Sequence, residues 1–249
     1  MKIFIINLLR STHRKKAMQK QISKLFSKNP SLKDRLEFIF FEAVDGDGGE
    51  EFAKFHPTWT KYLNGRKLSS GEKGCFASHY KLWQKCLELN ESIFVLEDDV
   101  EFTQTFNAQN LEKILKSPYE YVRIHYIKEK SSYALNNHFN ITFSNVAGTR
   151  GYFIKPSAAK KFIKHTRILI NPVDDSMDYS TVSNIIFKPL FLQDFDTASD
   201  IAATRERERE RERENNYKFT RELYRLYRNA KHFLLTLKAR LRLIFLLKI

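Results

Sequence analysis

Cysteine is nearly missing from these 249 residues, since Cys75 and Cys86 are the only two. The segment between them reads as one helix, and a separation of eleven residues at 1.5 Å each puts them about 16 Å apart, beyond the roughly 7 Å Cα limit of a disulfide. A disulfide-stapled miniprotein is excluded, and two reduced thiols in a reducing compartment are expected. Glycine is scarce, at 8, which argues against collagen-like, propeller and glycine-rich solenoid architectures. No run of about 20 uncharged apolar residues occurs, so no transmembrane helix is expected. The apolar start Met1–Ile6 is followed by Asn7, Arg10, Arg14, Lys15 and Lys16, where an export signal would stay apolar. A first β-strand is expected there instead.

What the sequence does contain is enough apolar mass for a sizeable core: 42% hydrophobic residues, including 21 Phe and 11 Tyr. Lys and Arg outnumber Asp and Glu by 43 to 29, a net charge of +14, which favours anionic partners such as a phosphorylated substrate, a lipid surface or nucleic acid. Lys2–Leu8 has the β-branched and aromatic character of a strand. Arg14–Phe26 carries Ala17, Met18, Ile22, Leu25 and Phe26 at helical spacing. Leu36–Phe41 reads as a second strand entering the polar turn Asp45-Gly46-Asp47-Gly48-Gly49. Ser69-Ser70-Gly71-Glu72 has the form of a capping box opening a well-buried helix that carries His79, Leu82 and Cys86. Ser92–Leu96, Glu120–Tyr126 and Gly151–Ile154 read as further strands, and Ser157–His165 as a helix. Strands alternating with helices predict an α/β domain with a mostly parallel central sheet and a ligand site outside the carboxyl ends of its strands. Residues 1–204 are assigned to that domain, 205–215 to an Arg-Glu repeat linker, and 216–249 to a basic amphipathic helical tail.

Four segments carry chemistry. Glu97-Asp98-Asp99 leaves the apolar run Ile-Phe-Val-Leu. Adjacent carboxylates at a buried strand end repel one another unless a hard cation such as Mg²⁺ or Mn²⁺ compensates them, and the plain alternative is an acidic loop. Gly71–His79 offers a small-residue helix start suited to a phosphate, or simply a capped core helix with a buried histidine. Arg10, His13, Arg14, Lys15 and Lys16 follow the first strand and suit a diphosphate, or form a solvated face. Asn171–Asp178 places several aspartates after a proline, as a general base or as helix caps.

Together these segments resemble glycosyltransferase family 25, the bacterial lipopolysaccharide and lipooligosaccharide galactosyltransferase family related to collagen galactosyltransferases. The matching pieces span roughly residues 1–200: Ile5-Ile6-Asn7-Leu8-x-Arg10-Ser11-x-x-Arg14; Phe41-x-Ala43-Val44-Asp45-Gly46; Gly71-Glu72-x-Gly74-Cys75-x-x-Ser78-His79-x-x-x-Trp83; Val95-Leu96-Glu97-Asp98-Asp99-Val100; Thr149-x-Gly151-Tyr152-x-Ile154; and Pro172-Val173-Asp174. His13 and Arg150 depart from the family pattern, standing where an acidic residue and a glycine are common.

The resemblance implies a GT-A type fold, a UDP-sugar donor, galactose transfer with inversion to a β-linkage, and Mn²⁺ or Mg²⁺ held by Glu97 and Asp99. It places Asn7, Leu8, Arg10, Arg14, Ala43, Val44, Asp45, Glu72, Ser78, His79 and Asp98 at the donor, and Arg150, Gly151 and Tyr152 at a lipooligosaccharide or lipopolysaccharide acceptor. Asp174 is the expected general base, with Asp178 second. Gln193, Asp194 and Asp196 are candidates for one further metal ligand. The tail is expected to hold the chain on the anionic cytoplasmic face of the inner membrane, or else to pack on the globule or a second copy. No nucleic-acid partner is expected. The competing readings are a non-catalytic membrane or nucleic-acid adaptor and a metal-dependent phosphoesterase or nuclease.

Overall fold

The computed structural model describes residues 1–46, 56–126, 131–144, 146–166, 171–177, 180–194 and 218–247. The Arg-Glu repeat lies outside these, as do Asp178 and Asp196.

Alternation along the first strands builds a three-layer α/β/α body. On β1 (Lys2–Asn7) and β3 (Ile93–Glu97), successive side chains point to opposite faces of the sheet. Ile3, Ile5, Phe94 and Leu96 enter one core with Met18 and Leu25 of α1 (Thr12–Lys28) and with Leu111 and Ile114 of α4 (Ala108–Leu115). Phe4, Ile6, Ile93 and Val95 enter the other, with Phe76, Trp83 and Cys86 of α3 (Ser70–Leu89) and Phe162 of α5 (Pro156–His165). Helix α3 starts where its sequence says it should. Ser69 Oγ accepts from Glu72 N at 3.1 Å, and Ser69 N donates back to Glu72 Oε2 at 3.0 Å.

The remaining strands are β2 (Glu37–Glu42), β4 (Val100–Phe102), β5 (Tyr121–Arg123), β6 (Tyr133–Ala134), β7 (Phe139–Thr142), β8 (Gly151–Ile154), β9 (Asn184–Phe187) and β10 (Leu192–Asp194). The main sheet has the order β2-β1-β3-β8-β5-β9-β7-β6, and β10 pairs with β4 in a separate two-stranded ribbon. This corrects the expectation of a mostly parallel sheet. β1 runs parallel to β2 and β3, and β5 to β9, but β8 is antiparallel to both its neighbours and β7 to both of its own. The sheet is mixed. An apolar run reports burial on both faces and carries no information on direction, so β8, wholly buried, reads like a parallel strand while running the other way.

The parallel trio β2-β1-β3 is what positions the site, because all three deliver their carboxyl ends to one edge. Helix α2 (Pro57–Asn64), the one-turn α6 (Val173–Ser176) and the 30-residue α7 (Lys218–Leu247) complete the described elements. The first turns of α7 lie against the globule: Asn171 Nδ2 donates to the Tyr224 hydroxyl at 3.3 Å, and Arg228 Nη1 reaches Asp175 Oδ2 at 3.3 Å. Among the described residues, no helix is long and apolar enough to cross a membrane.

Candidate active site

The carboxyl ends of β1, β2 and β3 and the first turns of α3 enclose a cleft of about 280 Å³. Its walls include Leu8, Arg10, Arg14, Ala43, Val44, Asp45, Ser78, His79, Glu97, Asp98 and Asp99, so most of the sequence-assigned donor and metal residues converge there. Two glycines make the convergence possible. A Cβ on Gly74 would stand 2.5 Å from Val44 O and 2.9 Å from Gly46 N, and one on Gly46 would overlap the Ser70 carbonyl. The 43–46 loop therefore lies backbone to backbone on α3. Ser78 ties it down, accepting from Val44 N at 2.9 Å and donating to Gly74 O at 2.7 Å. Arg10 pairs with Asp45 across the mouth. Gly74→Ala is expected to push the loop off the helix and lower thermal stability by about 1–3 kcal/mol. Calorimetry checks this, and an unchanged melting temperature would mean that the contact is soft.

The three acids of the triplet have different surroundings. Asp98 accepts from Asn7 Nδ2 at 2.6 Å and from Arg14 Nη1 at 3.3 Å. Burial still leaves its carboxyl above the usual range. Burial also opposes ionisation of Glu97, but His79, the Thr149 hydroxyl and Arg150 outweigh it and hold Glu97 below its ordinary value. Asp99 is 6% exposed. Its Oδ2 lies 3.3 Å from Arg150 Nε, and its Oδ1 is buried with no hydrogen-bond partner among the described residues. Burial, then repulsion from Glu97, raise the Asp99 carboxyl to about 7 despite Arg150. An unpartnered buried carboxylate oxygen among three acids is the donor set a hard divalent cation takes up.

Other assigned residues are not on the described wall of the cleft. Asn7 orients Asp98. Glu72, 1% exposed, is engaged in the helix cap and in a two-pronged pair with Arg66. Tyr152 is buried, with its hydroxyl held by His79 Nδ1 at 2.9 Å and Trp83 Nε1 at 3.1 Å. Gly151 is buried where a Cβ would meet Leu192 and Ile124. Arg150 spans from Asp99 to Asp194, and Asp194 also takes His125 Nε2 at 2.8 Å. Gln193 turns away to Glu101. Asp174, on α6, accepts from Asp175 N at 3.1 Å and is not among the residues lining the cleft. The sequence reading missed His125 and Cys75 as site neighbours. His125 sits just past a strand of unremarkable pattern, whereas Cys75 was visible as the residue one helical turn before His79.

A family model described as glycosyltransferase family 25 (LPS biosynthesis protein) matches residues 1–177. The chain belongs to glycosyltransferase family 25. The described residues that line the cleft fall inside the family 25 match, while β9, β10 and α7 lie beyond it. Individual relatives agree. The chain is 28% identical over 162 residues to lipooligosaccharide biosynthesis protein lic2B of Haemophilus influenzae, an alignment covering 65% of this chain and 53% of that protein. It is 33% identical over 142 residues to lipooligosaccharide biosynthesis protein lex-1 of the same species, covering 50% and 45%. To procollagen galactosyltransferase 1-B of Xenopus laevis it is 32% identical over 120 residues, covering 45% and 18%. The aligned parts thus span about half the length of the two bacterial relatives and less of the animal one.

Proposed function

We propose that this family 25 chain is an inverting glycosyltransferase that moves a hexose, galactose, from UDP-galactose to a lipooligosaccharide or lipopolysaccharide acceptor, forming a β-linkage. The observation that carries the reading is the cleft at the carboxyl edge of β2-β1-β3, where the acidic triplet faces Arg10, Arg14 and the first turns of α3. The α3 start offers its positive dipole to a phosphate. Arg10 and Arg14 add charge that a diphosphate can take. The names of the Haemophilus and Xenopus relatives support the acceptor class and the sugar.

The triplet fits Mn²⁺ or Mg²⁺, with Asp99 and Glu97 as the residues that would hold it. When bound, such an ion neutralises charge that builds on the departing diphosphate. Arg14 and Asn7 hold Asp98 in place within the triplet. Arg150 covers Asp99. The acceptor hydroxyl needs one carboxylate to take its proton, and we assign this to Asp174. Asp174→Asn is expected to lower turnover about 10²–10⁴-fold with donor binding retained, and Asp178→Asn to do less. Steady-state rates with donor affinity measured separately check it, and full activity in Asp174→Asn would remove that residue from the chemistry. The reading as a whole is tested by metal-dependent UDP release from a panel of UDP-sugars, with truncated lipooligosaccharide as acceptor. Degradation of DNA or RNA under the same conditions would instead favour a nuclease.

We further propose that α7 holds the chain peripherally on the cytoplasmic face of an anionic membrane. Phe219, Leu226, Tyr227, Phe233 and Leu234 are all more than 60% exposed, and basic residues flank them. Removing residues 233–249 keeps the Tyr224 and Arg228 contacts with the globule. This truncation removes Phe233, Leu234 and the basic residues after them, and is expected to weaken sedimentation with anionic liposomes while sparing activity on a short soluble acceptor. A change of oligomeric state with no liposome binding by the full chain would make the helix a protein contact.

A further inference from the structure

The floor of the cleft holds a second donor set whose chemistry differs from that of the acidic triplet. Cys75 and His79 stand four residues apart on α3 and so leave the same helix face one turn apart. That face meets the end of β3 at Glu97. One ligand atom from each of Cys75, His79 and Glu97 lies within 4.8 Å of the other two. His79 is fully buried, and its Nε2 has no hydrogen-bond partner among the described residues. This nitrogen faces Glu97 Oε1 at 3.5 Å, near the edge of roughly 3.4 Å between two ligands held about 2.1 Å from a tetrahedral ion. The far side of the ring is anchored by the Tyr152 hydroxyl, itself held by Trp83. Metal-bound histidines are oriented in the same manner, by a partner on the nitrogen that does not bind.

We propose that Cys75 Sγ, His79 Nε2 and Glu97 Oε1 form a site for a thiophilic divalent cation, Zn²⁺, which blocks the cleft when bound. A thiolate and an imidazole select Zn²⁺ over Mn²⁺ or Mg²⁺, whereas the triplet alone offers only hard oxygens. Three protein ligands leave the fourth tetrahedral position to water. On binding, the Cys75 thiol and His79 Nε2 give up their protons to solvent, and His79 Nδ1 stays toward the Tyr152 oxygen. The bound ion takes Glu97, so it excludes the hard cation and the donor from the same floor. Only this last consequence rests on the proposed transferase function. The binding itself does not.

The experiment uses the full chain in chelator-treated buffer, with Co²⁺ and Zn²⁺ as probes. Wild type is expected to bind one equivalent of Zn²⁺, and Co²⁺ to give a thiolate-to-metal charge-transfer band. Cys75→Ser should abolish the band and weaken Zn²⁺ by at least about 10-fold. Cys86→Ser should change neither, since Cys86 is buried and bonds to Glu91 O at 3.2 Å. In the unmutated chain, Zn²⁺ should also slow alkylation of Cys75, read by peptide mass, so the test does not depend on a variant folding. Absence of Zn²⁺ binding, a band that survives Cys75→Ser, or alkylation indifferent to Zn²⁺ would overturn the site. In activity assays, Zn²⁺ should inhibit UDP release by wild type about 10-fold more strongly than by Cys75→Ser, each compared with its own zinc-free rate. Equal inhibition of the two would overturn the blocking role. A chain that shows the cobalt band but no transfer with any UDP-sugar keeps the metal site and sinks the transferase reading.

Discussion

Asp99→Asn is expected to remove at least 99% of transferase activity, a loss of about 10²-fold or more, while making the protein harder to unfold. The two effects have one cause. Asp99 is buried beside Glu97 and Asp98 with one oxygen unpartnered among the described residues, and its carboxyl is pushed up to about 7 from the ordinary 3.8. A folded-state pKa above the unfolded one means that the folded chain binds the extra proton. Wild-type stability therefore falls as pH rises from about 4 to about 7 and stays lowered above that. Asparagine has no charge to bury, so the melting temperature of the variant should exceed that of wild type by a margin that opens through this window and is full at pH 8. At about 1.4 kcal/mol for each pKa unit, the gain at pH 8 is on the order of a few kcal/mol. Thermal melts at pH 4, 6 and 8 in chelator, beside UDP release in Mn²⁺, test both halves. A variant that loses activity and stability together would show Asp99 to be a structural residue. One that keeps near-normal turnover would end the assignment of a cation to the triplet.

The second large effect concerns Glu72. Its carboxylate is 1% exposed, accepts from Arg66 Nη1 at 2.6 Å and Nη2 at 2.8 Å, and also takes Ser69 N at 3.0 Å. Glu72→Ala removes a partly buried ion pair with two charge-assisted hydrogen bonds and half of the capping box together, a loss of about 3–5 kcal/mol. For a chain of this size that lowers the melting temperature by roughly 6–20 °C at about 2–4 °C per kcal/mol. Glu72→Gln keeps an oxygen for Ser69 N and should recover part of the loss. Because α3 supplies Ser70, Gly71 and Gly74 to the cleft, the frayed helix should also raise the KM for the donor. A shift in melting temperature under about 2 °C would show that the cap and its arginine are dispensable.

Local rules were enough for the elements whose cause is local. The capping box at Ser69, the apolar strand runs of β1 and β3, and the carboxylates at the end of β3 could all be read directly, since each depends on neighbours within a few residues. So could the gathering of Asn7, Arg14 and the triplet at one edge, because β1 and β3 end in motifs that need a shared site. Strand direction could not, and β8 shows why. Its four residues are buried on both faces, and burial is indifferent to polarity. The one-turn α6 and the two-residue β6 have no periodicity long enough to register.

The finer anatomy of the site is likewise non-local. Nothing near Tyr152 in the chain says that its hydroxyl faces inward to His79, and nothing near Arg150 says that it joins Asp99 to Asp194 from a strand 44 residues away in the chain. The sequence by itself determined the family, the two-faced core and the acidic strand end, because hydrophobic period, capping chemistry and motif order are carried by contiguous residues. Only the tertiary structure decided the mixed sheet, the burial of Glu72 and Tyr152, the unpartnered oxygen of Asp99 and the meeting of Cys75 with Glu97. Those depend on which distant segments pack together, and the free energy of that packing is shared across the whole core rather than stored in any one stretch of chain.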